Sequence, residues 1–205
     1  MTISESFVSH SQVCNRSISM AEIKLIMLDF DGTLVDTRTA NAEAYIETLA
    51  EVGITLSKEE YLKRFFGVRC IEFMQMVGIS DPEKIRQLRR RKVELYPKYF
   101  DSIVLNSELW SWCQMMRRMG AKVWIVSTGH IDNLRNVISY LNLSSGIDGI
   151  ISGDDVERPK PNPDCFLEAM RREEVAPEES IIFEDSEVGV EAARRSGAAY
   201  SVIKL

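Results

Sequence analysis

From Leu25 onward, short apolar runs alternate with stretches in which apolar residues recur every three or four positions. The runs are Leu25 to Leu28, Val123 to Val126, Ile147 to Ile151, Ile181 to Phe183 and Ala199 to Ile203. Runs this short and this apolar predict strands buried on both faces, and the helical stretches between them predict a parallel sheet covered by helices. Leu109, Trp112, Cys113, Met116 and Met119 form one helical stripe, closed by Gly120. Ile131 to Leu141 is a second helix, a third opens at Asn162-Pro163, and a last runs through Val190 and Ala193 to Gly197. The expected fold is α/β, with five strands and four crossovers.

The first crossover is too long for a single helix, and the stretch between Leu25 and Leu109 has helical patterning of its own. Ala44, Tyr45, Leu49 and Val52 share a face that ends at Gly53, and Ser57-x-x-Glu60 is a capping box. Asp81-Pro82 caps a further helix carrying Ile85, Leu88, Lys92, Leu95 and Tyr99. The expected organisation is a sheet domain of residues 21–36 and 106–205 with a helical cap, residues 37–105, inserted into it. Residues 1–20 are rich in serine and show no apolar period, so they are expected to form a disordered extension, or residues 1–19 to precede a natural start at Met20.

Composition narrows the possibilities. The chain has 205 residues, 25 basic and 31 acidic, for a net charge of −6. That length buries a core without disulfides or a structural metal, so a bound metal would serve chemistry. An acidic balance disfavours nucleic acid as a partner. No apolar stretch approaches the ~20 residues of a membrane span, and no secretory signal is visible. Cys14, Cys70, Cys113 and Cys165 are widely spaced and form no C-x-x-C pair. A cytoplasmic, monomeric enzyme acting on a small molecule is expected.

Ligands of open parallel sheets bind beyond the carboxyl ends of the strands. There the chain places Asp29-Phe30-Asp31-Gly32-Thr33 after the first run and Ser127-Thr128-Gly129 after the second. A loop reaching Lys160 follows the third, and Glu184-Asp185-Ser186 follows the fourth. Singly, these residues are most often helix caps, turn formers or solvated charges. Together they are four carboxylates at one sheet edge, which repel unless a cation or protons neutralise them. An oxygen-only cluster suits Mg²⁺, and Mg²⁺ held by few protein carboxylates commonly works with phosphate.

Four segments carry a family resemblance: Leu28-Asp-Phe-Asp-Gly-Thr-Leu-Val-Asp36; Ser127 after its strand; Arg158-Pro-Lys-Pro-Asn-Pro-Asp164; and Phe183-Glu-Asp-Ser-Glu-Val-Gly-Val190 followed by Ala-Ala-Arg-Arg-Ser-Gly-Ala198. In this order they resemble the motifs of the haloacid dehalogenase superfamily, in the branch with a helical cap after the first motif. The resemblance covers Glu22 to the C-terminus. It implies a Rossmann-like core with an all-helical cap and Mg²⁺-dependent hydrolysis of a small phosphorylated metabolite. It further implies Asp29 as the nucleophile that forms an aspartyl phosphate, and Asp31 as general acid and base. Lys160, Ser127 and Thr128 would bind the transferring phosphoryl group. The Mg²⁺ ligands would be the Asp29 carboxylate, the Asp31 backbone carbonyl and Asp185, with Glu184 direct or through water.

In the cap, Gly67-Val-Arg-Cys-Ile-Glu72 sits where this branch has a substrate-facing loop, which makes Arg69 and Glu72 candidates for substrate binding. Lys92 resembles a substrate-side lysine of sugar-phosphate members, whereas the surrounding charges from Lys84 to Arg91 read as an exposed helix face. Dehalogenation is disfavoured by the presence of Asp31, Glu184 and Asp185. A Schiff-base hydrolase is disfavoured because the cap loop offers Arg69 and Cys70 rather than lysine. A sugar phosphomutase of the β-phosphoglucomutase type is the alternative chemistry, but Asn41 stands where the mutase carries histidine. A non-catalytic binding module is the alternative of a different class, and the intact set of Asp29, Asp31, Lys160 and Asp185 argues against it.

Overall fold

The computed structural model describes residues 19–205. Residues 1–18, and with them most of the expected extension and Cys14, lie outside the described residues. Five parallel strands form the central sheet: β1 (Leu25–Leu28), β4 (Lys122–Val126), β5 (Gly149–Ile151), β6 (Ser180–Glu184) and β7 (Ala199–Val202), in the order β5-β4-β1-β6-β7. The chain leaves β1 for β4 and β5 on one side, then returns to β6 and β7 on the other. The order therefore reverses around β1, which places a ligand crevice at its carboxyl end.

All four residues of β1 are fully buried. Ile26 and Leu28 face one core, where they meet helices α5 (Ser107–Arg118) and α6 (Ile131–Tyr140) through Leu109, Cys113, Leu134 and Val137. Leu25 and Met27 face the other, beneath α7 (Asp164–Glu173) and α8 (Glu187–Ser196) through Phe166, Ala169, Ala192 and Ala193. Burial on both sides is why the strands carry no alternation. Among the described residues, no helix is long and apolar enough to cross a membrane.

The insertion holds α1 (Arg38–Ala50), α2 (Lys58–Arg64), α3 (Cys70–Met76) and α4 (Pro82–Leu95). Ser57 and Asp81 cap α2 and α4 by accepting from the Glu60 and Glu83 amides, at 3.1 and 3.0 Å. The insertion has a core of its own, in which the rings of Tyr45, Tyr61, Phe65 and Phe73 pack at centroid separations of 4.8–5.6 Å. α1 is buried on two faces, since Ala42, Tyr45 and Leu49 join that core while Ala40 and Ala44 join the sheet's.

Two details differ from the expected pattern. A two-stranded antiparallel ladder joins β2 (Val35–Asp36) to β3 (Val104–Leu105) where the chain enters and leaves the insertion. A strand of two residues has no period to read. After Leu95 the chain tightens into a 3-10 turn, Tyr96–Ser102, with Pro97 in its first turn, so Tyr99 does not continue the α-helical stripe.

Candidate active site

The strand ends bring Asp29, Ser127, Lys160, Glu184 and Asp185 to the wall of one cavity of about 370 Å³. Lys160 organises it, with only 3% of its side chain exposed. Its Nζ donates to Asp29 Oδ1 at 2.7 Å, Glu184 Oε1 at 2.6 Å and the Val126 carbonyl at 3.1 Å. Three acceptors saturate an ammonium group, so its position is determined. The aliphatic stem is carried by Arg158-Pro-Lys-Pro, whose Lys160–Pro161 peptide is cis, and the Nζ lies 5.0 Å from the Phe166 ring centre. Burial works against the charge on Lys160, but Asp29 and Glu184 outweigh it and raise its pKa.

Glu184 is wholly buried, and its second oxygen accepts from the Asp185 amide, the Ser186 amide and the Ser186 hydroxyl at 2.8, 3.0 and 3.1 Å. The turn into α8 is thus folded around this carboxylate. Gly189 makes it possible, since a Cβ there would collide with the Glu184 carboxylate. Gly32 does the same for Asp185: its φ is +101°, and a Cβ would lie 2.5 Å from Asp185 Oδ2. Thr33 donates to Asp185 Oδ1 at 3.0 Å. Ser127 Oγ accepts from the Gly129 amide at 3.0 Å, which leaves its proton available to a ligand.

Asp29, Glu184 and Asp185 present carboxylate oxygens within 4.8 Å of one another. Three carboxylates face one ammonium. Burial, then repulsion from Glu184, hold Asp29 well above the ordinary carboxylate range, with Lys160 offsetting only part of this. Burial and Glu184 likewise push Asp185 up to about 6. Protons or a hard divalent cation would neutralise the excess, and an all-oxygen donor set fits the cation.

Asp31 has a separate set of partners, supplied by the insertion. The Thr37 hydroxyl donates to its Oδ1, and Asn41 Nδ2 donates to the same oxygen at 3.2 Å and to Thr37 Oγ1 at 3.0 Å. Lys92 Nζ then donates to Asn41 Oδ1 at 2.7 Å. Burial raises the Asp31 pKa, while Thr37, Lys92 and Asn41 hold the rise in check. Sequence reasoning saw Asn41 only as a departure from the mutase and gave Thr37 no role. Their spacing of one helical turn at the start of α1 was the available signal.

Of the residues expected to bind substrate, Ser127, Thr128, Lys160 and Arg69 line the cavity. Lys92 does not: it is 1% exposed, lies behind Asn41, and stacks over the Tyr96 ring at 3.4 Å. Glu72 is exposed and also outside the lining, because α3 turns Phe73 and Met74 into the insertion's core and leaves Glu72 on its outer side. Arg89, within the stretch read as an exposed face, and His130 line the cavity instead.

The model of the haloacid dehalogenase-like hydrolase family matches residues 26–203. The chain is similar to the 6-phosphogluconate phosphatase of Escherichia coli (strain K12), 29% identical over 181 residues, covering 87% of this chain and 81% of that protein. It is 26% identical over 193 residues to the phosphoglycolate phosphatase of Aquifex aeolicus (strain VF5), covering 89% and 88% of the two chains. Among solved structures it resembles CbbY from Rhodobacter sphaeroides in complex with phosphate, at a TM-score of 0.78 and 26% identity, over 86% and 84% of the chains. With its four motif segments gathered at the carboxyl edge of one parallel sheet and the match spanning nearly all of it, the chain belongs to the haloacid dehalogenase-like hydrolase family.

Proposed function

We propose that this hydrolase is a Mg²⁺-dependent phosphatase that cleaves a small phosphorylated metabolite through an aspartyl-phosphate intermediate. The observation that carries the reading is the separation of two neighbouring carboxylates into two environments. Asp29 is ion-paired to Lys160 beside Glu184, while Asp31 is hydrogen-bonded to Thr37 and Asn41. One is set up as a nucleophile and the other as a proton carrier.

In the first step a carboxylate oxygen of Asp29 attacks phosphorus and forms a new O–P bond. The ester P–O bond breaks, and the leaving alkoxide takes the proton of Asp31. In the second step Asp31 removes a proton from water, the resulting hydroxide attacks phosphorus, and the Asp29 O–P bond breaks to release inorganic phosphate. Ser127 donates to a phosphoryl oxygen, and Lys160 holds Asp29 in position while countering the charge that develops. Asp29, the Asp31 carbonyl and Asp185, with Glu184 alongside, would hold the Mg²⁺, which when bound supplies positive charge for the approach of one anion to another. The insertion covers the cavity with Tyr45, Tyr61 and Phe66, limiting access of bulk water to the phosphoryl group. The phosphatase names of the similar proteins agree with hydrolysis rather than phosphoryl transfer between sugar hydroxyls.

The test is release of phosphate from p-nitrophenyl phosphate and a panel of phosphorylated metabolites, with and without Mg²⁺, and with Asp29→Asn as control. Turnover that needs Mg²⁺ and vanishes in the variant is the expected result. Absence of turnover from every ester by the folded, Mg²⁺-supplied protein would refute the proposal. So would isomerisation of a hexose 1-phosphate faster than its hydrolysis.

A further inference from the structure

The cavity has a second charged region that the hydrolytic steps leave unused. Arg69 at the start of α3, Arg89 on α4, His130 at the start of α6 and Asp154 after β5 all line it, together with the phosphoryl-binding residues. Arg69 donates from Nη2 to the Gly153 carbonyl at 2.8 Å, a neutral partner that leaves its charge uncancelled. Arg89 faces Asp154 at 3.6 Å, beyond hydrogen-bond distance, although two thirds of its side chain is shielded from solvent (32% exposed). Among the described residues its guanidinium reaches no hydrogen-bond acceptor. Two residues along the same helix, Arg91 is by contrast fully engaged by Glu51 and Glu94 at 2.8–3.1 Å.

Asp154 has partners other than Arg89. It accepts from the Ile131 amide at 3.3 Å and lies 3.4 Å from His130 Nε2. His130 Nδ1 accepts from the Asp132 amide at 3.2 Å, so the ring of the neutral histidine carries its proton on Nε2, facing Asp154. Burial, then Arg89, depress the His130 pKa and favour that neutral form. Within the cavity lining the region therefore presents two guanidinium groups against the Asp154 carboxylate; the exposed Asp132 carboxylate, 3.5 Å from His130 Nδ1, lies outside that lining. One positive charge is left over, and the unfilled donors of Arg89 form a planar fork suited to a carboxylate or phosphate.

We propose that the substrate carries a second anionic group, a carboxylate or a phosphate, distal to the ester, and that Arg89 binds it with Arg69 beside it. The proposal rests on the phosphatase reading above and defines its substrate class. With a neutral sugar phosphate the partly shielded Arg89 guanidinium would face only Asp154, at 3.6 Å, and water, whereas a second anion would fill its fork directly, which is where discrimination arises.

The experiment compares kcat/KM within matched pairs: 6-phosphogluconate against sorbitol 6-phosphate, which differ only in the distal carboxylate, and fructose 1,6-bisphosphate against fructose 1-phosphate. The wild type is expected to prefer the doubly anionic member of at least one pair by about tenfold or more, the worth of one charge-assisted hydrogen bond. The preferred pair tells a distal carboxylate from a distal phosphate. In Arg89→Gln that ratio falls to about threefold or less, and Arg89→Lys, which keeps charge but not the fork, gives an intermediate ratio. Ratios near one in both pairs for the wild type, or a ratio unaffected by Arg89→Gln, would overturn the proposal. Continued hydrolysis of p-nitrophenyl phosphate in that case leaves the phosphatase reading standing, whereas no hydrolysis of any ester removes both.

Discussion

Replacement of Lys92 by methionine tests the electrostatics behind the site. Lys92 is wholly buried, with Asn41 Oδ1 as hydrogen-bond acceptor and the Tyr96 and Tyr45 rings at 3.4 and 5.1 Å. Burial pulls its pKa from 10.5 down to about 7, although Asp31 and Cys70 push the other way. The unfolded chain therefore binds this proton more tightly than the native state does, so stability rises with pH between about 7 and 10.5. At about 1.4 kcal/mol per pH unit, the buried amine costs about 4 kcal/mol at pH 7.5 and about 1 kcal/mol at pH 9.5. Lys92→Met removes that cost and leaves Asn41 Oδ1 without its donor, a loss of about 2 kcal/mol. The variant is thus expected to be more stable than wild type by about 2 kcal/mol at pH 7.5 and less stable by about 1 kcal/mol at pH 9.5. Urea unfolding of both proteins at several pH values measures the difference, in which the other titrating groups cancel. A difference constant with pH would show that Lys92 titrates alike in both states and would refute the reasoning.

Three further outcomes follow from the same geometry. Lys160→Met leaves Asp29 and Glu184 buried without a counter-charge, and in EDTA at pH 7 it should destabilise the fold by about 3–5 kcal/mol in urea unfolding. Gly189→Ala ordinarily stabilises a helix by about 0.5–1 kcal/mol, but here the methyl group meets the Glu184 carboxylate, so calorimetry should find the melting temperature lowered rather than raised. Mg²⁺ should raise the melting temperature of the wild type, and Asp185→Asn should lose most of that rise; an equal shift in both would exclude Asp185 as a ligand.

The sheet was legible because both its faces are covered, so β1, β4 and β6 read as unbroken apolar runs that end directly on chemistry. Asp29, Lys160 and Glu184 could be placed at one edge from topology alone, although Asp29 and Lys160 are 131 positions apart. What escaped the sequence depends on direction rather than on type. Glu72 and Arg69 lie three positions apart, but α3 carries one outward and its start carries the other into the cavity. Lys92 has apolar neighbours at helical spacing, which set it apart from the exposed charges around it but did not distinguish a substrate-side lysine from one buried behind Asn41. Nothing local reveals that Asn41, on another helix, would accept from it. Arg89 sits in a run of like charges that reads as solvated, and only the packing of α4 against the core loop at Asp154 distinguishes it.

The partners of Asp29 and Asp31 divide between the two parts of the chain. Asp29 is held by Lys160, and Glu184 by Lys160 and the α8 turn, all from segments outside the insertion. Asp31 follows the same strand, yet its donors Thr37 and Asn41 come from the start of the insertion, and Lys92 from its body donates to Asn41. The antiparallel pair β2 and β3 ties the two ends of the insertion together beside that loop. Arg69 meanwhile binds the Gly153 carbonyl, whose own amide donates to the Gly129 carbonyl after Ser127. Displacing the insertion would therefore leave Asp29 and its Lys160 contact in place but strip Asp31 of its hydrogen bonds and the Gly153 carbonyl of its contact with Arg69. Under the proposed mechanism, the hydrogen bonds that support Asp31 as acid and base thus exist only while the insertion covers the cavity.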